Sequence, residues 1–112
     1  MAITLTDGNA TGATTEYYLA SASTTKVDQT TDCILQVFID PLSMAAGDQY
    51  QFTIYEKVNA STQRIAYQSI LTGAQSALWV SPSLILGDGY ECSVKKLAGT
   101  DRTLPFSLRR IT

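Results

Sequence analysis

Residues 88–111 carry the feature that most narrows what this chain can fold into: two stretches of two-residue alternation separated by turn formers. Tyr90, Cys92 and Val94 alternate with Glu91, Ser93 and Lys95, then Gly99, Thr100 and Asp101 intervene, and Leu104, Phe106 and Leu108 resume the alternation. A period of two belongs to a strand with one face in a core and one in water, because successive side chains leave a pleated backbone on opposite sides. The pattern predicts two strands near the C-terminus paired as one β-hairpin.

Similar signals recur along the chain. Ile3 to Leu5 reads as a short first strand, and the turn formers and small residues of 7–15 read as a loop, so that 1–15 is a possible extended N-terminal arm. Residues 16–20 give a second strand with Tyr17 and Leu19 on one face, and 21–31 a polar connection with room for a short strand at 26–28. The strongest strand is 33–39. Cys33, Leu35, Val37 and Ile39 form one face and Ile34, Gln36 and Phe38 the other, a two-sided pattern usual in strands that are central or covered. Pro41 sits at a plausible first helical position and Gly47 at a plausible stop, which predicts one short helical turn near 41–47. Strands at 50–58 and 64–71 join through a turn at 59–63, a short strand follows at 78–80, and 84–86 packs between the turn formers of 81–83 and 87–89.

Seven or eight short strands at this spacing predict an all-β fold, a two-layer antiparallel β-sandwich of immunoglobulin-like or jelly-roll-like type, with a small barrel as the alternative. Ten Ser and fifteen Thr favour strand and turn over helix, and 112 residues at 45% hydrophobic content suffice for one core, hence a single domain over 1–112. Parity assigns side chains to faces but leaves the order of strands open.

Charge and composition exclude several classes of partner. The net charge is −2, yet residues 1–56 hold seven acids and one base while 57–112 hold three acids and seven bases. If the fold kept these halves apart, copies would meet head to tail; ordinary solvated strand faces are the simpler reading. Lys95, Lys96, Arg102, Arg109 and Arg110 cluster near the last two strands, but an isoelectric point near 4.8 argues against nucleic acid as a partner. No apolar run approaches the roughly 20 residues that span a bilayer, so no membrane partner is expected. The opening has no basic, then apolar leader, so the expectation is synthesis in the cytoplasm or a mature chain without its leader.

The chemistry points away from an enzyme. There is no histidine, which removes the commonest general base, nucleophile activator and metal ligand. The carboxylate pairs Asp40 with Asp48 and Asp88 with Glu91 fall at strand ends or turns, where they cap backbone amides. Gly8 and Gly12 are not followed by the Lys-Ser/Thr of a phosphate loop, and neither metal nor cofactor is expected. Cys33 and Cys92 have core parity and read as two buried thiols or as one intersheet disulfide; a Trp soon after the first Cys, as an immunoglobulin domain would have, is absent.

Contact with other proteins is the remaining class. Adjacent Tyr17 and Tyr18 point to opposite faces, which leaves one exposed, and Tyr18 with Tyr55 and Trp79 can form an aromatic interface patch. Thr11 and Thr14 in the arm, and Thr100, Asp101 and Arg102 in the loop 98–103, are candidate adaptable contacts.

The segments Ile-Asp-Pro-Leu-Ser-Met-Ala-Ala-Gly-Asp at 39–48, Trp-Val-Ser-Pro-Ser-Leu at 79–84, and Lys-Leu-Ala-Gly-Thr-Asp-Arg-Thr-Leu-Pro-Phe-Ser-Leu-Arg at 96–109 resemble small virion proteins of tailed bacteriophages. The resemblance covers roughly residues 33–111 and is strongest to head decoration, or cement, proteins. It implies a β-rich, non-enzymatic module on the capsid exterior, made in the host cytoplasm, whose partners are the major capsid protein and further copies of itself. A tail or neck subunit, and a carbohydrate- or host-binding module on the virion surface, are the alternatives. The resemblance assigns no individual binding residues.

Overall fold

The computed structural model describes residues 2–59 and 61–112. Among these, nine strands build two antiparallel sheets packed face to face, a β-sandwich: β1 (Ile3–Gly12), β2 (Tyr17–Tyr18), β3 (Cys33–Ile39), β4 (Gln49–Glu56), β5 (Arg64–Thr72), β6 (Trp79–Val80), β7 (Leu84–Leu86), β8 (Glu91–Ala98) and β9 (Arg102–Ile111). The first sheet has the order β1-β9-β3-β6, with β7 also pairing β3, and the second has the order β2-β8-β4-β5. The 59–63 turn between β4 and β5 includes position 60, which lies outside the described residues; the pairing of those two strands is as the alternation predicts.

The core is built by strand parity. Leu35, Val37 and Ile39 of β3 and Leu104, Phe106 and Leu108 of β9 face Tyr50, Phe52 and Ile54 of β4 and Cys92 and Val94 of β8, with Leu19 and Met44 closing the ends. Cys33 and Cys92 are both buried free thiols, and burial pushes the Cys92 thiol upward from its ordinary pKa. Tyr50 and Tyr90 are buried and Tyr67 is half-buried against the core.

Three local expectations are corrected. The C-terminal hairpin does not form. β8 pairs with β2 and β4, β9 pairs with β1 and β3, and residues 99–101 cross from one sheet to the other. Alternation fixes which side chains enter the core and is equally satisfied by a crossing. The true partner of this C-terminal stretch is the N-terminus: β1 pairs with β9 over ten residues, the Lys96 N–H donates to the Ala13 carbonyl at 2.8 Å, and β2 then pairs with β8.

The N-terminal arm is accordingly a strand through Gly12. Its Asp, Asn and Gly residues have weak strand preference, but a full ladder against β9 overrides it. Gly8 fits because the Phe106 ring fills the place of a side chain, a Cβ there standing 2.8 Å from Cζ. The helical turn near 41–47 is replaced by two successive tight turns, closed by Met44 N–H to the Pro41 carbonyl at 3.0 Å and Asp48 N–H to the Ala45 carbonyl at 3.1 Å. Asp48 ends the run by accepting the Ala45 N–H on its own carboxylate at 2.9 Å.

Candidate protein interface

The eight residues singled out from the sequence fall in separate places. Tyr18 and Tyr55 do meet, on the outer face of the second sheet, through a residue the sequence did not flag: Glu16 accepts the Tyr18 hydroxyl at 3.1 Å and the Tyr55 hydroxyl at 2.5 Å, and the Ser93 hydroxyl as well. Lys26 lies over the Tyr55 ring, 4.8 Å from its centroid. Burial and the adjacent Glu16 carboxylate raise the Tyr18 pKa to about 12 and push the Tyr55 phenol well above its ordinary range, so both remain neutral donors.

Trp79 belongs to the other sheet and turns inward. Its ring packs 4.9 Å from Phe52 and 6.2 Å from Tyr67, and its Nε1–H donates to Ser69 at 3.3 Å. It therefore shares no surface with Tyr18 or Tyr55. Thr11 is exposed on β1 opposite Thr103, and Thr14 is exposed in the bend that follows.

Thr100, Asp101 and Arg102 are pinned rather than adaptable. Asp48, almost wholly buried, accepts the Thr100 N–H at 2.9 Å and the Arg102 Nε–H at 2.8 Å, while the Tyr50 hydroxyl donates to the Thr100 carbonyl at 2.7 Å and Lys96 pairs with Asp101. The N–H groups of Thr100 and Ala45, then Arg102, hold the Asp48 carboxyl below the usual carboxylate range against the opposing effect of burial. The capping role expected of the sequence-adjacent acids is seen again at Asp40, which accepts the Leu42 N–H at 3.1 Å.

Glu91 takes the same role from a buried position. Its side chain is 0% exposed; Oε1 accepts the N–H groups of Ala20 and Cys92, both at 3.0 Å, and Oε2 meets no donor. Burial raises its pKa, opposed by those two amides and by the neighbouring Ser21 and Gln29.

The surface with the strongest interface character is the outer face of the first sheet, which the sequence reading did not assemble. Register places Ile3, Ile111, Ile34 and Ile85 in one row across four strands. Ile3 is 60% exposed, Ile34 39% and Ile85 86%. Next to it run Leu5, Arg109 and Gln36, then Asp7, Ser107, Phe38 and Val80. Arg109 lies over the Phe38 ring at 4.0 Å, and shallow depressions flank that stack on either side, one reaching Ile3 and Ile34 and the other Leu78 and Pro105. Contiguous apolar surface rimmed by polar groups, with an Arg and an aromatic near its centre, is the composition of a protein contact. One signal was present in the sequence: the second apolar face of 33–39.

Comparison with protein-family models, with curated proteins and with solved structures returns no match. Among the described residues no group of three or more His, Cys, Asp and Glu side chains is placed to hold a metal ion, and no helix is long and apolar enough to cross a membrane.

Proposed function

We propose that this chain is a non-enzymatic structural module that docks onto the surface of a larger protein shell through the outer face of its first sheet, and that the shell is a tailed-phage capsid, making the chain a head decoration protein. The observation that carries the proposal is the isoleucine row Ile3, Ile111, Ile34 and Ile85 on the outer face of the first sheet, which no other strand covers among the described residues. The resemblance of residues 33–111 to small virion proteins is the reason for choosing a phage head as that shell.

Covering Ile3, Ile34 and Ile85 removes about two whole isoleucine side chains of surface from water, since their exposures are 60%, 39% and 86%. At ~1.5–3 kcal/mol per buried side chain this supplies ~3–6 kcal/mol per module before the cost of association. A contribution of that size is modest for one copy and large for a lattice of them. Binding only to the assembled shell lowers the free energy of the intact form by linkage, with many sites acting together. The carbohydrate-binding alternative is weakened by the placement of Tyr55 and Trp79 in different sheets, Trp79 facing inward.

The test mixes the purified protein with phage heads lacking their outer decoration and follows cosedimentation and the temperature at which the heads release DNA. The expected result is saturable binding with raised heat resistance, lost in Ile85→Lys, whose own unfolding midpoint is unchanged. Equal release temperatures with and without the protein, or undiminished binding by Ile85→Lys, overturn the proposal.

A further inference from the structure

β1 is inverted relative to the usual pattern: Ile3 and Leu5 point outward, so Thr4 and Thr6 take the inner side at an open edge of the sandwich, Thr4 exposed and Thr6 half-buried. Register sets Thr4 beside Arg110 and Arg110 beside Leu35, which is fully buried, so Arg110 also enters on the core side. A guanidinium cannot shed its charge, and Arg110 is half-buried, so partly withdrawing it from water without a counter-charge carries a cost. Lys57, Lys96 and Arg102 each meet a carboxylate; Arg110 donates to the Thr6 hydroxyl and makes no ion pair among the described residues.

Arg110 opens on a cavity of about 300 Å³ whose walls include Thr4, Thr6, Gln29, Thr31, Tyr90 and Thr112. Hydroxyl and amide donors surround the guanidinium, and no Asp or Glu lines the space. The far wall is held in place because Gln29 and Tyr90 exchange two backbone hydrogen bonds, each 2.9 Å. Thr6 accepts from Arg110, which leaves its own hydroxyl proton free to donate.

We propose that this cavity binds a small oxyanion, with the planar fork of Arg110 making the charged contact and the surrounding threonine hydroxyls donating to the remaining oxygens. A fork of parallel N–H groups matches phosphate or carboxylate oxygens in pairs, and a hydroxyl-lined wall replaces the anion's hydration. The site is separate from the outer face of the first sheet, so it stands or falls independently of shell docking.

The probe is inorganic phosphate, with acetate as the carboxylate arm, titrated into ¹⁵N-labelled protein at constant ionic strength while the Arg110 Nε–H resonance is followed. The expected result is a saturable shift of that resonance with one or both anions, together with a rise of several degrees in the unfolding midpoint over matched chloride; both are lost in Arg110→Gln and kept in Arg64→Gln. Should Arg110→Gln fail to fold, Thr31→Val, on the opposite wall, must weaken binding several-fold. A midpoint that rises equally in wild type and Arg110→Gln reports general salt exclusion and overturns the proposal, as does an Arg110 resonance that does not move.

Discussion

The crossing between β8 and β9 can be tested at three glycines that share one backbone conformation but not one environment. Gly47, Gly73 and Gly99 have φ of +90°, +78° and +92°. A Cβ at Gly47 or Gly73 meets nothing within 4 Å, whereas at Gly99 it would stand 2.2 Å from Asp48 Oδ1, 2.6 Å from Asp48 Cα and 2.8 Å from the Gly47 carbonyl oxygen. Gly73→Ala therefore measures the conformational cost alone, about 1–2 kcal/mol for an L side chain at positive φ. Gly99→Ala adds an overlap with backbone atoms that no rotamer change relieves, typically ~1–3 kcal/mol more, and displaces the carboxylate that holds Thr100, Ala45 and Arg102. The expected total is about 3–4 kcal/mol, a fall in unfolding midpoint of roughly 12–16 °C for a domain of this size. The assay is urea denaturation followed by the fluorescence of Trp79, the single tryptophan, with an unchanged m-value required for the comparison. A Gly99→Ala cost within about 0.5 kcal/mol of Gly73→Ala would refute the placement of the crossing against Asp48.

Three further outcomes follow from the buried polar groups and the aromatic cluster. Because the folded pKa of Asp48 lies below its unfolded value, its contribution is present above the ordinary aspartate pKa and is lost as pH falls through the lower, folded value; in Asp48→Asn, urea midpoints between pH 7 and 2.5 decline less steeply and begin lower. Glu91 has the opposite sign: a raised folded pKa makes the protonated form the better fit, so its contribution declines as pH rises from about 4.3, the ordinary glutamate value, through the folded pKa, and Glu91→Gln flattens that decline between pH 4.5 and 8. Trp79→Ala, which empties half-buried space against Phe52 and Tyr67, lowers stability by about 2–3 kcal/mol by circular dichroism in urea; an unchanged midpoint would mean that the ring stands free as a binding platform.

What the sequence revealed depended on how local the governing physics was. Residues 33–39 coincide with β3 because one strand's parity, read over seven residues, suffices to locate it. The sandwich itself followed from many such short signals agreeing. Pairing is different in kind. Tyr90 to Leu108 alternates correctly whether the chain doubles back in one sheet or passes into the next, and the deciding partner, β1, lies some ninety residues away in a segment whose own composition reads as loop. Thr4, Thr6, Gly8 and Ala10 are strand residues only because β9 supplies the ladder and Phe106 needs the space above Gly8.

The candidate surface was hidden for the same reason. Ile3 and Leu5, taken alone, look like core residues of an amphipathic strand, and polar Thr4 and Thr6 look like its wet face. Pairing with β9 reverses both, because the register that puts Leu104, Phe106 and Leu108 into the core turns the even-numbered residues of β1 to the inner side too, from exposed Thr4 at the open edge to buried Ala10. One reversed strand thus produces two consequences on opposite sides of the same sheet: isoleucines presented outward in line with Ile34 and Ile85, and a hydroxyl-lined space inward around Arg110. Exchanging the parity of β1, with Thr at 3 and 5 and Val at 4 and 6, would fill the inner space and strip that strand's share of the outer row together. The fold would gain stability and shell binding would fall. A strand shaped by core packing alone would already have that exchanged pattern, and its absence is the strongest argument that both faces of the first sheet serve contacts beyond the fold.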